Sequence, residues 1–233
     1  FFGFGVVIQQ LPGRAVKDTQ PCAHHVGGII GTLIKLPAAL VANASDLRWF
    51  DRRVVRHLAF AASEPTGKTV DDLIIFVTLE PIDGAGNILG SAGPCWVRFG
   101  TYLPMVGQMR FDTADLANIE ASGHLQSVIL HEMGHVLGIG TIWPYLGLLA
   151  NPSLPSSPGV DTRFTGANAI AGFNVIGGAT YTGGGKVPVE NSQGGSGTRD
   201  AHWREGVLAN ELMTGFLNSG SNPLSVLTIR SLQ

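Results

Sequence analysis

The most constraining feature of this sequence is a pair of histidines, four residues apart, inside the apolar segment VILHEMGHVLG. The pair is His131 and His135, and Glu132 directly follows the first histidine. Apolar residues recur at helical spacing along the segment, which predicts a helix that buries one face. Because burying three ionisable side chains is costly, the pattern requires something that compensates for their loss of water.

Two histidines four residues apart lie on one face of a helix and can point their rings at one position. Two neutral imidazoles that converge in this way form half of a zinc site. Zinc lowers the pKa of a bound water to about 7. Glu132 stands beside the first histidine, where it can take a proton from that water and pass it to a leaving amine. The apolar surroundings of His131 and His135 argue against the alternative, a solvated helix with two surface histidines.

A catalytic zinc needs a third protein ligand, and none stands close to the pair in sequence. In the compact pattern H-E-x-x-H-x-x-G-x-x-H, the third histidine follows the glycine by three residues. Gly138 fits that glycine, but Thr141 stands at the histidine position. A glutamate ligand on a following helix is also disfavoured, because no glutamate occurs between His135 and Glu190.

The remaining candidates for the third ligand are Asp200 and His202, in the segment GTRDAHWREGVLANELMTG. Asp200 ends the tetrapeptide GTRD, which is similar to the G-T-x-D of zinc peptidases that use an aspartate ligand. His202 is followed eleven residues later by Met213 in NELMTG. A methionine in a tight turn beneath a three-histidine zinc is typical of metzincin peptidases. On the residues alone, both third ligands stay open.

The order of HEMGHVLGIGTIW, a long insertion, HW and ELMTG resembles the leishmanolysin-like metallopeptidases, in particular their bacterial branch. In that family an insertion displaces the third histidine from the helix. The resemblance implies that His131, His135 and His202 bind one catalytic zinc ion. It also implies that Glu132 is the catalytic base, that Met213 is the methionine of the turn, and that the substrates are proteins or peptides. Such endopeptidases are generally secreted or attached to the cell surface.

The resemblance implies an α+β, metzincin-like fold for residues 67–233. In this fold a twisted, mostly parallel sheet and the active-site helix form an upper lobe, and an irregular lower lobe follows Gly138. The segment GQMRFDT is then the expected edge strand that pairs with an extended peptide substrate. Residues 1–66 form an N-terminal segment with a weak pattern that does not resemble the family. This departure leaves open a second class of function, a non-catalytic relative with a metal-stabilised fold.

The remaining patterns predict short elements separated by loops. The segment ANIEASGHLQSVILHEMGHVLG predicts one helix, which Gly138 and Gly140 end. Ser45 is predicted to cap a helix over residues 46–62. Further predictions are strands at Leu73–Leu79, in PCWVRFG and in GQMRFDTADL, a helix in GANAIAGFNVIGG, an extended piece in KVPVEN, and a final helix capped by Ser221-Asn222-Pro223.

Composition restricts the partners and the architecture of the chain. A length of 233 residues allows a sizeable core, and a net charge of -2 provides no basic excess for nucleic acid. The two cysteines, Cys22 and Cys95, exclude a disulfide-dense scaffold but leave their pairing open. The apolar run Val26–Ala44 carries Lys35 and Pro37 at its centre, which disfavours a membrane span. The sequence does not define an oligomeric state.

Several residues near the predicted ligands have more than one interpretation. Trp143 and Trp203 flank ligand segments, and we expect core packing first and substrate contact second. Asp200 is an alternative acceptor for an imidazole N–H. Glu190 and Asn191 are candidates for lining the cleft or for binding a structural cation. Some metzincins place a tyrosine two residues after the methionine of the turn, where this sequence has Gly215.

Overall fold

The structure is a computed structural model that describes residues 5–10, 30–35, 73–154 and 157–233. The helix predicted over residues 46–62 and most of the apolar run Val26–Ala44 lie outside these ranges. Cys95 is disulfide-bonded, whereas Cys22 lies outside the described residues. Within the described ranges, no helix has the length and apolar character that a membrane crossing needs.

The chain divides into two compact units, residues 1–125 and residues 126–233. Five strands of the first unit form an antiparallel pair, β1 with β2, and a three-stranded sheet in the order β3-β5-β4. They are β1 (Gly5–Gln10), β2 (Ile30–Lys35), β3 (Ile74–Glu80), β4 (Gly90–Val97) and β5 (Pro104–Asp112). The three strands predicted from Leu73 onward are therefore confirmed.

The three-stranded sheet corrects two predictions. Strand β5 is parallel to β3 and antiparallel to β4. Only one of the two described strand pairs is parallel, so the sheet is mixed rather than mostly parallel. Strand β5 contains most of GQMRFDT and lies in the centre, so the prediction that this segment is the edge strand is wrong. Its polar residues find partners across the sheet instead. Arg110 donates to Glu80 on β3 and to Ser91 on β4, each at 3.1 Å.

Two helices replace the single long helix that the sequence predicts. They are α1 (Leu116–Ala121) and α2 (Leu125–Val136), and Gly123 breaks the run between them with a φ of 77°. Helix α2 buries Val128, Ile129 and Val136, as expected for a helix with one apolar face. Gly138 and Gly140 adopt φ values of 113° and 75°, which confirms that glycines end this helix.

The second unit builds the long insertion from short elements rather than from loop alone. Its strands β6 (Leu149–Ala150), β7 (Arg163–Phe164) and β8 (Val187–Pro188) pair antiparallel in that order. Its helices are α3 (Ala167–Val175), α4 (Gly178–Thr182), α5 (Gly195–Thr198), α6 (Glu205–Leu208) and α7 (Val226–Ser231). Helix α3 and strand β8 confirm the predictions for GANAIAGFNVIGG and KVPVEN.

The cap of the final helix differs from its prediction. Ser225, not the Ser221-Asn222-Pro223 segment, is the N-cap of α7, because its hydroxyl accepts from the amide of Thr228. The carbonyl of Pro223 instead accepts from the amide of Leu212 at 2.9 Å. The residues before the helix therefore anchor a neighbouring turn.

Three aromatic side chains form the centre of the second unit's core. Trp143, Phe164 and Trp203 have ring centroids 4.7–5.6 Å apart, and each is at most 2% exposed. The prediction that both tryptophans pack in the core is confirmed. Burying each large side chain contributes on the order of 2 kcal/mol. Trp143 follows the end of α2, Phe164 lies in the insertion, and Trp203 directly follows His202. Their packing therefore holds these three parts of the chain together.

Candidate metal centre

Three histidines meet in the second unit. His131 and His135 lie on α2, and His202 lies between α5 and α6, 71 residues after His131. Their Nε2 atoms are 3.0 Å apart for the helical pair, 3.1 Å for His131 and His202, and 2.9 Å for His135 and His202. Among the residues that the structure describes, this is the one group of metal-ligating side chains close enough to hold an ion.

The other ring nitrogen of each histidine contacts a backbone carbonyl. His131 Nδ1 donates to Leu212 at 2.7 Å, His135 Nδ1 to Ile139 at 2.9 Å, and His202 Nδ1 to Thr198 at 2.9 Å. Because a carbonyl oxygen only accepts, each Nδ1 carries the proton of its neutral ring. Each Nε2 is then an unprotonated nitrogen with its lone pair available.

Three lone pairs that face one another repel, so this arrangement fits a cation placed among them. Zinc binds histidine nitrogens at 2.0–2.1 Å, and tetrahedral ligand atoms at that distance lie roughly 3.3 Å apart. The Nε2 separations of 2.9–3.1 Å are close to that value. Three protein nitrogens would leave one tetrahedral position for water or substrate. Three protein ligands and one open position are typical of catalytic zinc sites.

Burial favours the neutral form of these rings. His135 is 6% exposed and His202 7% exposed, whereas His131 is partly exposed. Burial lowers the pKa of His202 to about 3 and the pKa of His135 well below its usual value. It also lowers the pKa of His131, although the hydrogen bond to Leu212 acts in the opposite direction. All three rings are therefore neutral near pH 7, the form in which histidine binds metals.

Glu132, the predicted general base, lies beside the first histidine on α2. Successive residues of a helix point about 100° apart, so its side chain is next to the face of His131 and His135 rather than on it. Glu132 is only 4% exposed. Its carboxylate is therefore buried beside the face that carries the two histidines.

Met213 packs directly against the helix that bears the histidines. It is fully buried, and a Cβ placed on Gly134 would lie 2.6 Å from its Sδ. Gly134 therefore permits the approach of the methionine, although glycine costs about 1 kcal/mol inside a helix. The H-E-x-x-H motif alone does not indicate this role, although a glycine within a helical pattern is a signal that points to it.

Two further glycines let the segment of His202 lie close to its neighbours. A Cβ on Gly140 would lie 2.1 Å from the carbonyl oxygen of Ala201, so the end of α2 touches the backbone beside the third histidine. A Cβ on Gly215 would lie 2.1 Å from Thr198 Cγ2. The position where some metzincins carry a tyrosine thus has no room for a side chain here.

Glu190 supports the segment of His202 from within the core. It is fully buried, and its amide donates to the carbonyl of His202 at 2.9 Å. Its carboxylate accepts from the amides of three residues after it, from the Ser192 hydroxyl and from the amide of Glu205, at 2.9–3.0 Å. These partners are all donors, and Glu190 is not part of the described group of side chains that could hold a metal ion.

Asp200 lies apart from the three histidines. Its two carboxylate oxygens accept from the amide and the hydroxyl of Ser153, at 2.7 and 2.9 Å. It also does not accept from the imidazole of His202, whose Nδ1 donates to Thr198 instead. The structure therefore places His202, and not Asp200, beside His131 and His135. Asp200 instead connects the early insertion to the ligand segment through Ser153.

The three convergent histidines, one of them remote in sequence, could hold a metal ion. A sequence model described as Leishmanolysin matches residues 61–233, which include every predicted site residue. The chain therefore belongs to the leishmanolysin family of metallopeptidases, which are proteases that hydrolyse proteins or peptides. A comparison with curated proteins found no match.

Proposed function

We propose that this protein is a zinc-dependent endopeptidase whose single catalytic zinc is held by His131, His135 and His202. One observation carries the proposal. Three unprotonated Nε2 atoms converge to within 2.9–3.1 Å of one another, and each ring is fixed by a hydrogen bond from its Nδ1. Ligand imidazoles oriented by carbonyls in this way are typical of zinc sites. Membership of a metallopeptidase family supports the same assignment.

Glu132 is the general base of the proposed reaction. When bound, zinc lowers the pKa of a water ligand to about 7 and polarises the peptide carbonyl. Glu132 takes the proton from the attacking water and then gives it to the amine of the leaving product. Its burial excludes competing solvent from this proton transfer.

Met213 forms the floor of the proposed site by packing against Gly134, which lies between the two helical histidines. The carbonyl of Leu212, one residue earlier, accepts from His131. We further propose that the enzyme acts on extracellular proteins, as a secreted or cell-surface protease, since this is the general location of the family it resembles.

The test replaces Glu132 by glutamine and measures zinc content and cleavage of casein or gelatin. We expect one zinc per chain in both proteins and a kcat that is 10²–10⁴-fold lower in the variant, because general-base catalysis contributes about that factor. Glu120→Gln, at an exposed position of α1, is the control for loss of one carboxylate and should match the parent. A parent that holds zinc without cleaving would instead identify a non-catalytic relative.

A further inference from the structure

Glu211 is a buried carboxylate that the proposed reaction does not use. It is 5% exposed and stands two residues before Met213. Its Oε2 accepts from the amide of Met213 at 2.6 Å. Its Oε1 accepts from the amide of Ser225 at 3.1 Å, from the Ser225 hydroxyl at 2.7 Å and from the Thr228 hydroxyl. Four donors therefore converge on one carboxylate at the start of helix α7.

The turn that Glu211 holds touches both parts of the metal centre. On the helix side, the carbonyl of Leu212 accepts from His131, and Met213 packs against Gly134. On the other side, the carbonyl of Met213 accepts at 3.0 Å from the amide of Trp203, which directly follows His202. A shift of this turn therefore alters the orientation of one ligand and the backbone beside another.

A second path leads from Glu211 to the segment of the third histidine. The indole N–H of Trp203 donates to the Thr228 hydroxyl at 2.8 Å, and that hydroxyl donates its own proton to Glu211. The carboxylate thus connects helix α7, the methionine turn and the residue after His202 in one network. Networks of buried hydrogen bonds fix geometry because each member has a single satisfied arrangement.

Placing a carboxylate here has a cost that packing alone does not explain. Burial raises the pKa of Glu211, although hydrogen bonds from Thr228, Ser225 and Met213 act in the opposite direction. An apolar side chain would fill the same space without this desolvation. The specific property of a carboxylate is that both oxygens only accept, whereas a glutamine would direct an NH₂ group at one of the four donors.

We infer that Glu211 is a positioning residue of the metal centre, which holds the Leu212 carbonyl against His131 and the Met213 side chain against α2. This inference rests on the proposed zinc site. Outer partners of metal-binding histidines typically change metal affinity or activity by 10–100-fold when they are replaced. Glu211 acts one step further out, through the carbonyl and the turn that it fixes.

The experiment compares Glu211→Gln with the parent in the full chain, by zinc affinity from chelator competition, the visible spectrum of the cobalt(II) form, kcat, KM and Tm. We expect zinc affinity about 10-fold weaker, a changed cobalt spectrum, and a lower kcat with little change in KM. Asp161→Asn is the control, because this half-exposed carboxylate pairs with Lys186 and Arg163 away from the turn. It should keep the parent affinity and spectrum.

A second pair of variants keeps the inference testable if Glu211→Gln fails to fold. Thr228→Val removes the hydroxyl between Trp203 and Glu211 at nearly constant volume. Thr228→Ser keeps this hydroxyl and removes only the methyl group. We expect the valine variant to shift zinc affinity and the cobalt spectrum in the same direction as Glu211→Gln, and the serine variant to recover the parent values.

The outcomes separate this inference from the proposed function. Variants that lower only Tm, with zinc affinity and cobalt spectrum unchanged, would show that Glu211 is a structural residue and would overturn the inference. A parent that binds zinc but cleaves nothing would remove the peptidase proposal, while zinc affinity and the cobalt spectrum still decide the role of Glu211. A parent that binds no zinc would overturn both.

Discussion

The two regions that supply the histidines achieve their geometry by different means. In α2, helical spacing alone places His131 and His135 one turn apart on one face. The second region, residues 198–213, is called the remote region. The position of His202 in it depends on contacts with residues that are distant in sequence. Buried carboxylates, close backbone approaches at glycines and the tryptophan core hold that segment in place.

This difference shows where the centre is sensitive to change. Ordering a residue costs roughly 1–2 kcal/mol of conformational entropy, so the insertion needs many contacts to bring the third ligand into place. The spacing of the helical pair comes from the helix itself. Substitutions in the remote region should therefore weaken metal binding even where the replaced side chain touches no metal ligand. Most substitutions on the surface of α2 should leave metal binding unchanged.

The largest expected effect is the removal of a ligand, and it should be equal in the two regions. His135→Ala and His202→Ala should each abolish cleavage and weaken zinc binding by more than the 10–100-fold that is typical of outer partners. Both residues supply one of the three convergent nitrogens. Zinc content after dialysis and competition with a chelator measure the effect.

Asp200→Ala is the matched control for this comparison, because Asp200 lies two residues from His202 and contacts Ser153. It should lower stability but keep one zinc per chain. If Asp200→Ala lost the ion while His202→Ala kept it, the site would be an aspartate-ligand zinc site instead, and the contrast between the two regions would have the wrong third ligand.

A smaller effect is expected from replacing Glu190, whose amide donates to the carbonyl of His202 in the remote region. Glu190→Ala should lower the free energy of unfolding of the zinc-free protein by about 3 kcal/mol, because it removes the acceptor of five part-buried hydrogen bonds. Denaturant unfolding measures this change. Asp161→Asn, which removes a half-exposed carboxylate from the same unit, should cost no more than about 0.5 kcal/mol. Equal effects of the two variants would contradict the dependence of the remote region on buried carboxylates.

The smallest expected effect is at Gly134, where the buried Met213 of the remote region packs against α2. Gly134→Ala should destabilise the protein by about 1 kcal/mol, although alanine is the better helix former, because the new methyl group meets the buried Met213. Gly206→Ala in α6 is the control, since a Cβ there has no neighbour within 4 Å, and it should be neutral or slightly stabilising. A stabilising Gly134→Ala would mean that Met213 does not pack at this position.

The sequence was sufficient for the local half of the site and insufficient for the remote half. His131 and His135 followed from spacing within one helix, and Gly138 and Gly140 marked its end. Family resemblance supplied His202, because no residue pattern connects positions that are 71 residues apart.

The missed features depend on tertiary contacts that leave no local pattern. Glu190 and Glu211 resemble ordinary charged residues in the sequence, and their roles arise from donors that the fold brings to them. The edge-strand error has the same cause. The edge position of GQMRFDT was expected from the family resemblance, whereas in the structure Arg110 of β5 bonds to partners on both neighbouring strands.

The most direct test of the proposed zinc centre is a crystal structure of the zinc-loaded protein with anomalous scattering recorded at the zinc edge. We expect a single zinc peak per chain, 2.0–2.1 Å from the Nε2 atoms of His131, His135 and His202. A peak bound to Asp200, or a ring of His202 turned away from the ion, would contradict it.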